Sequence, residues 1–194
     1  LTTTQCLLST TRNSDMTQSQ IEQFLLQELG LKKILWLNHG ALIGDDTDAH
    51  IDTLARFCDV DTIAYVKCKD SNDVHYQTLK RMEDELKEFK DLSGKKYKLV
   101  ALPLPDACYD QIGNRLPATY ANFLLVNDGV LVPSYGVKQD QVALDRIQNI
   151  EETNENIKPD KTSWGDYFDE IIGVSKDITV EAIKIKLRFS KQRI

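Results

Sequence analysis

Short apolar runs alternate with amphipathic stretches along this chain, and the alternation predicts strands that take turns with helices. Four runs rich in β-branched and apolar residues predict strands at residues 1–9, 34–37, 62–68 and 97–104. Two shorter runs, 123–126 and 130–132, flank Asn127, Asp128 and Gly129 and predict a hairpin. Strands interleaved with single helices indicate an α/β fold with mixed strand pairing.

Three helices are predicted from apolar residues spaced three and four positions apart. The first begins after Thr17, which forms a capping box with Gln20, and ends at Gly30. The other two cover residues 73–89 and 139–147. His75 is expected to be exposed to solvent, because the helix predicted at residues 73–89 carries many charged residues.

The chain changes character at about residue 151. The stretch EETNENIKPDK is a polar linker, and residues 183–189 alternate apolar with basic side chains, as in a half-buried strand at a sheet edge. Two units are therefore expected. Residues 1–150 form the main α/β unit, and residues 151–194 form a divergent C-terminal segment that is rearranged or caps the first unit.

Composition narrows the class of protein. The 194 residues, 41% hydrophobic and 28% charged, are enough for one sizeable core. A net charge of −6 argues against nonspecific nucleic-acid binding and favours attraction of a small cation. No stretch approaches the roughly 18 apolar residues of a membrane span. The four cysteines form no CxxC pair, so free thiols in a reducing cytoplasm are expected.

One short segment, Gly44 to Asp52, packs four carboxylates and one imidazole into nine residues. Such a cluster is costly unless a cation lies among the carboxylates, because like charges repel and raise one another's pKa. The residues alone leave two partners open: a metal ion held by Asp and His ligands, or an organic cation.

The sequence around this segment resembles the family of agmatine deiminases and bacterial peptidylarginine deiminases, which modify guanidino groups. The acidic segment carries the His-x-Asp signature, and four further segments match in the same order. They are LTTTQCLLSTTRN, ILWLNHG, HIDTLARF and LPATYANFLLVNDGVLVPSYG. Collinear matches are more specific than any single motif. The resemblance implies a partial, pentein-like α/β propeller of repeated ββαβ units, about three of whose blades lie in this chain.

The resemblance also implies roles for individual residues. Asp52 matches the carboxylate that binds the guanidinium, and His50 matches the general acid/base. On an extended segment their side chains would share a face. Thr119 and Asn122 match the wall of the substrate pocket. We expect neither a cofactor nor a metal in this reading.

The other residues of the acidic segment have less specific expectations. Asp45 and Asp48 are expected to orient the loop, since Asp readily caps local amides in turns. Asp46 is a candidate for substrate binding, with a role in the loop left open. Ala49 stands where the family most often has glycine before the histidine.

The family nucleophile is a cysteine preceded by histidine, in the region where this chain diverges, and none of the four cysteines has that context. The leading hypothesis is a partial or altered agmatine deiminase-like hydrolase, which converts agmatine to N-carbamoylputrescine and ammonia. Agmatine is favoured over peptidyl-arginine as the small cationic guanidino substrate. One alternative is a noncatalytic guanidino-binding or partner subunit, and another is a metal-dependent hydrolase. The open edges of a partial propeller would suit a homo-oligomer.

Overall fold

The computed structural model describes residues 1–45, 48–126 and 129–152. Its strands are β1 (Thr2–Thr3), β2 (Trp36–Leu37), β3 (Ala55–Asp59), β4 (Thr62–Lys67), β5 (Lys98–Pro103), β6 (Leu124–Val126) and β7 (Gly129–Leu131). Its helices are α1 (Thr4–Leu7), α2 (Thr10–Asn13), α3 (Gln18–Glu28), α4 (Tyr76–Glu88) and α5 (Gln139–Glu152). A 3₁₀ helix covers Ile51–Thr53. Within these ranges no helix combines the length and apolar character needed to cross a bilayer.

The central sheet has the order β3-β4-β5. Strand β3 pairs antiparallel with β4, and β4 pairs parallel with β5 through the crossover helix α4. This segment is therefore one complete ββαβ unit. All residues of β4 from Thr62 to Val66 are buried, which explains why the strand reads as a continuous apolar run and not as an alternating one.

Two further strand pairs complete the described sheets. Strands β1 and β2 pair in parallel, with α1, α2 and α3 between them in the chain, and β6 and β7 form an antiparallel hairpin that precedes α5. The predicted α/β fold with mixed pairing is confirmed.

Two apolar clusters pack against opposite faces of the central sheet. Leu79, Met82 and Leu86 of α4 are at most 1% exposed and belong to the same cluster as Ile63 and Tyr65 of β4. The second cluster joins the inner face of α5 to the other side of the sheet, through Ala64, Leu102, Tyr120, Ala143 and Ile147. Successive residues of a strand point to opposite faces, so β4 contributes to both clusters.

Most predicted elements are confirmed, with shifted ends. The capping box of Thr17 and Gln20 is formed in both directions at the start of α3. The predicted strands 62–68 and 97–104, the helix 73–89 and the hairpin correspond to β4, β5, α4 and the β6–β7 pair. Of the strand predicted at 34–37, only the C-terminal half forms, as β2. Helix α5 extends past its predicted end at residue 147 to Glu152.

One prediction about the first third of the chain is wrong, and one strand there was missed. Residues 1–9 are not one strand, because Thr3 ends β1 and its hydroxyl accepts a hydrogen bond from the Cys6 amide at 3.2 Å, which caps α1. Strand β3 was not predicted, since Arg56 and Asp59 interrupt its apolar pattern. The first two residues of the predicted linker, Glu151 and Glu152, belong to helix α5, and the rest of the linker and the strand predicted at 183–189 lie outside the described residues.

Candidate functional site

The described residues of the acidic segment, 44–45 and 48–52, and Ile43 just before them contact groups from distant parts of the chain. The Thr3 hydroxyl donates to the Ala49 carbonyl at 2.8 Å, across 46 residues. The backbone N–H of Ile43 donates to Nε2 of His75 at 2.8 Å. Gly44 has φ +87°, and a Cβ on it would lie 2.2 Å from the carbonyl oxygen of Arg115. Three separate contacts therefore fix the course of the segment.

His75 is the centre of one of these contacts and is not exposed as predicted. It is 4% exposed, its Nδ1 lies 2.8 Å from Asp73, and Asp73 also accepts from Arg115 at 2.7 Å. The reason is its position just before α4, where the turn folds the ring inward. Burial lowers the pKa of His75, so the ring is neutral at pH 7, with the proton on Nδ1 and the lone pair on Nε2.

Asp48 and Ala49 have left-handed backbone conformations, with φ 64° and 56°. A residue with a Cβ is disfavoured there by roughly 1–2 kcal/mol. Ala49 is also buried, with 2% exposure, and its carbonyl accepts a hydrogen bond from the Thr3 hydroxyl. The turn before His50 thus has the conformation for which glycine is the usual residue.

The prediction of an extended segment from His50 to Asp52 is wrong. His50 precedes the 3₁₀ helix and has extended dihedrals, with φ −57° and ψ 140°, whereas Asp52 lies within that helix. The two side chains consequently do not alternate as on a strand. Asp52 lines a pocket, and the ring of His50 contacts Arg12 of α2, with 2.9 Å between Nη2 and Nε2.

The pocket has a volume of about 420 Å³ and is mainly apolar. Its walls include Leu1, Ile51, Phe57, Phe123 and Leu124, with three polar side chains among them: Asp52, Arg56 and Asn122. Asp52 and Asn122, which were predicted from separate segments of the chain, thus line the same pocket. A carboxylate beside apolar and aromatic walls suits a flat organic cation with a hydrocarbon tail.

The remaining predicted site residues have different positions. Thr119 is 3% exposed, its hydroxyl accepts from the Ala121 amide at 3.1 Å, and it is not among the residues that line the pocket. Asp46 lies outside the described residues. Asp45 accepts from the Thr53 hydroxyl at 3.5 Å, and a carboxylate oxygen of Asp48 lies 3.9 Å from Nε of Arg12, so the contacts given for these two residues are with side chains.

Two arginines of the site were not predicted. Arg56 donates a hydrogen bond to the backbone carbonyl of Phe123, and its guanidinium lies 4.3 Å from the centre of the Phe123 ring. Arg12 contacts His50 and Asp48. Both lie within segments that match the family, LTTTQCLLSTTRN and HIDTLARF, but neither stands out by charge pattern or spacing.

The four thiols differ from an activated nucleophile. The pKa of Cys6, Cys58, Cys68 and Cys108 is raised in each case, and burial is the main cause. A nucleophilic cysteine needs the opposite shift, because the thiolate is the reactive form. Within the described ranges, moreover, no group of three His, Cys, Asp or Glu side chains converges as ligands of a metal ion would.

Comparison with known proteins identifies relatives. The profile of the Porphyromonas-type peptidyl-arginine deiminase family matches residues 1–161. A protein of Legionella pneumophila (strain Paris), named as a candidate agmatine deiminase, is 39% identical over 136 residues, which are 70% of this chain and 39% of the relative. The chain thus spans about two-fifths of the length of the curated relatives that it matches.

Solved structures show the same likeness. A crystal structure from Porphyromonas gingivalis, described as a candidate arginine deiminase, is 49% identical with a TM-score of 0.75, over 77% of this chain and 44% of that one. A cysteine-to-serine variant of the C. jejuni agmatine deiminase, solved with substrate bound, is 43% identical with a TM-score of 0.72, over 77% of this chain and 43% of that one.

Proposed function

The chain belongs to the Porphyromonas-type peptidyl-arginine deiminase family, and from this premise we propose that it supplies the guanidinium-binding and acid/base part of a site that hydrolyses agmatine. The reaction would convert agmatine and water to N-carbamoylputrescine and ammonia. The observation that carries the proposal is the pocket shared by Asp52 and Asn122, whose apolar walls complement the alkyl chain of such a substrate.

Each of the two principal residues would have one task. The carboxylate of Asp52 would accept paired hydrogen bonds from the planar guanidinium and hold its plane fixed. His50, two residues earlier, would protonate the departing nitrogen and later activate water. Asn122 would contribute a neutral donor and acceptor at the pocket wall, and Asp46 and Thr119 remain candidates for contacts with the substrate.

The nucleophile would be none of the four cysteines of this sequence, because burial raises the pKa of each of their thiols. The three sheets would belong to successive blades of an α/β propeller, of which β3-β4-α4-β5 is a complete ββαβ unit. Names of relatives support both agmatine and arginine as substrates. We favour agmatine over peptidyl-arginine, because curated relatives that match 70% of the chain are named for agmatine.

A second candidate function is a guanidino-binding or partner subunit without activity of its own. The raised pKa of every described thiol favours it. In this case the pocket would bind agmatine, and a second chain would supply the thiolate.

The test combines binding and turnover with two matched variants. Agmatine is titrated calorimetrically into the chain, and a colorimetric assay for the ureido group follows product. Asp52→Asn should weaken agmatine binding by about 10- to 100-fold, the value of a hydrogen bond to a charged group. Asp15→Asn, an exposed carboxylate away from the pocket, should change nothing. His50→Ala should leave binding intact and lower any turnover by about 10²–10⁴-fold.

The outcomes separate the hypotheses. Ureido product that requires His50 and Asp52 supports the deiminase, and agmatine binding without product supports the binding subunit. Putrescine, which has an amine in place of the guanidinium, should bind much more weakly than agmatine. Equal binding of the two ligands, or an Asp52→Asn variant with undiminished affinity, would contradict a guanidinium site. Turnover that needs added Mg²⁺ or Mn²⁺ would point to a metal-dependent hydrolase instead.

A further inference from the structure

A guanidinium of the chain itself lies against the acidic segment. Arg12, at the C-terminal end of α2, reaches His50 across 38 residues, and its Nη2 lies 2.9 Å from Nε2 of the ring. Its Nε also lies 3.9 Å from a carboxylate oxygen of Asp48, and the two side chains are 41% and 40% exposed. The contact is thus made at the surface, between α2 and the turn that precedes the 3₁₀ helix.

The chemistry of this contact decides where the proton of His50 lies. A guanidinium has only N–H donors and stays protonated in proteins, so Arg12 cannot accept a hydrogen bond. Nε2 of His50 must therefore be the acceptor. An imidazolium has no lone pair to offer, so the ring that meets Arg12 is neutral and has its proton on Nδ1. Nδ1 has no partner within the part of the chain that the structure describes.

We infer that Arg12 is a positioning residue that fixes His50 as the Nδ1–H tautomer, with Asp48 holding the guanidinium in place. Nε2 is the nitrogen through which a neutral ring takes up a proton, so His50 can act as a base only once its contact with Arg12 opens, whereas Nδ1–H can donate a hydrogen bond throughout. The relevance of this tautomer to catalysis rests on the proposed function, whereas the tautomer itself does not depend on it.

The tautomer can be read directly from the ¹⁵N resonances of the histidine rings at about pH 8, with long-range ¹H–¹⁵N correlation spectra of the labelled chain. The chain has three histidines, and His50→Ala assigns the signals of His50. His75 is an internal reference, because Asp73 and the Ile43 amide also fix its proton on Nδ1. In the wild-type chain we expect Nε2 of His50 at the unprotonated position and Nδ1 at the protonated one.

Variants of Arg12 and Asp48 then test the cause. Arg12→Ala should shift the Nε2 resonance of His50 towards the protonated position, as the ring becomes free to exchange tautomers, and leave His75 unchanged. Arg12→Lys retains a cationic donor and should restore part of the wild-type pattern. Asp48→Asn should produce a smaller shift than Arg12→Ala, because it weakens one carboxylate contact of the guanidinium and keeps the donor.

Two results would overturn the inference. One is a wild-type spectrum in which Nε2 of His50 carries the proton, which needs no variant to fold. The other is an Arg12→Ala spectrum identical to that of the wild-type chain at His50. Neither result bears on agmatine binding at Asp52, so failure of this inference and failure of the proposed function are distinguishable.

Discussion

The central sheet and the acidic segment are held in place by different kinds of contact. Strand β4 is buried between α4 on one face and the cluster of α5 on the other, and many apolar side chains share the burial. The acidic segment instead depends on single directional contacts: one hydroxyl, one imidazole and one close approach of backbone to backbone.

The two regions should therefore respond differently to amino-acid substitutions. Apolar packing in the sheet is redundant, and each side chain contributes in proportion to the area that it buries. A hydrogen bond across 46 residues has no substitute, because the carbonyl that loses it is buried without a partner. We therefore expect core substitutions to lower global stability and loop substitutions to act locally, at the candidate site.

The largest effect is expected in the core. Leu79→Ala should lower the free energy of unfolding by about 3–4 kcal/mol, because Leu79 is 1% exposed on α4 and its truncation removes buried apolar contacts and leaves a cavity. The measurement is chemical denaturation. Leu92→Ala is the matched control, since Leu92 is 67% exposed and should change stability by less than about 0.5 kcal/mol. Similar losses in both variants would break the distinction between the sheet and its surroundings.

Gly44→Ala should be the most disruptive substitution in the acidic segment, at about 3 kcal/mol. The new Cβ would meet the backbone oxygen of Arg115 at 2.2 Å, in addition to the strain of φ +87°. Gly94→Ala has the same backbone strain, with φ +85° and open space around the Cβ, and should cost only about 1 kcal/mol. Denaturation of the two variants isolates the cost of the clash. Equal losses would show that Arg115 does not fix the loop.

Thr3→Val should cost about 2 kcal/mol, because it removes both the cap of α1 and the hydrogen bond to the Ala49 carbonyl. Thr17→Val removes a helix cap of the same type at α3 without touching the acidic segment. Native-state hydrogen exchange at residues 48–54 distinguishes them. Faster exchange there is expected only in Thr3→Val, and faster exchange in both variants would contradict a specific link.

The smallest effect is a pH dependence that arises from His75. Burial lowers the pKa of its ring in the folded chain, so below its ordinary value of 6.5 the unfolded chain binds a proton that the folded chain does not. Stability should therefore fall as the pH drops from 7.5 to 5.5, by about 1 kcal/mol. Asp73 adds to this only at lower pH. Although burial acts to raise its pKa, hydrogen bonds from Arg115 and His75 lower it overall, and its contribution is lost as pH falls through that lowered value.

Thermal denaturation at the two pH values measures the His75 contribution. His75→Gln should remove this part of the decline, even if it is less stable at both pH values. His39→Gln, which changes a partly exposed histidine paired with Glu85, should retain the decline. A His75→Gln variant with the full wild-type decline would show that the ring is not the titrating group.

Secondary-structure elements with a clear local sequence pattern were predictable, and features that depend on distant residues were not. Strand β4 and helix α4 were predictable because a buried run and a 3.6-residue stripe are written in consecutive residues. Residues 1–9 were mistaken for a strand, since a short apolar run does not distinguish helix from strand, and the Thr3 cap that decides it is visible only in the fold. The exposure of His75 was not predicted correctly for the same reason, because its ring accepts from the amide of Ile43, 32 residues earlier, and its other partner, Asp73, is bound by the distant Arg115.

The sequence by itself determined the α/β class, the acidic segment and the family, because these depend on local periodicity and on matching residues in order. The folded chain adds that Asp52 and Asn122 line one pocket, that Thr119 is buried and does not line it, and that Arg12 contacts His50. The physical reason is that such contacts join residues 38 and more positions apart, and chain order alone does not fix which of these side chains meet.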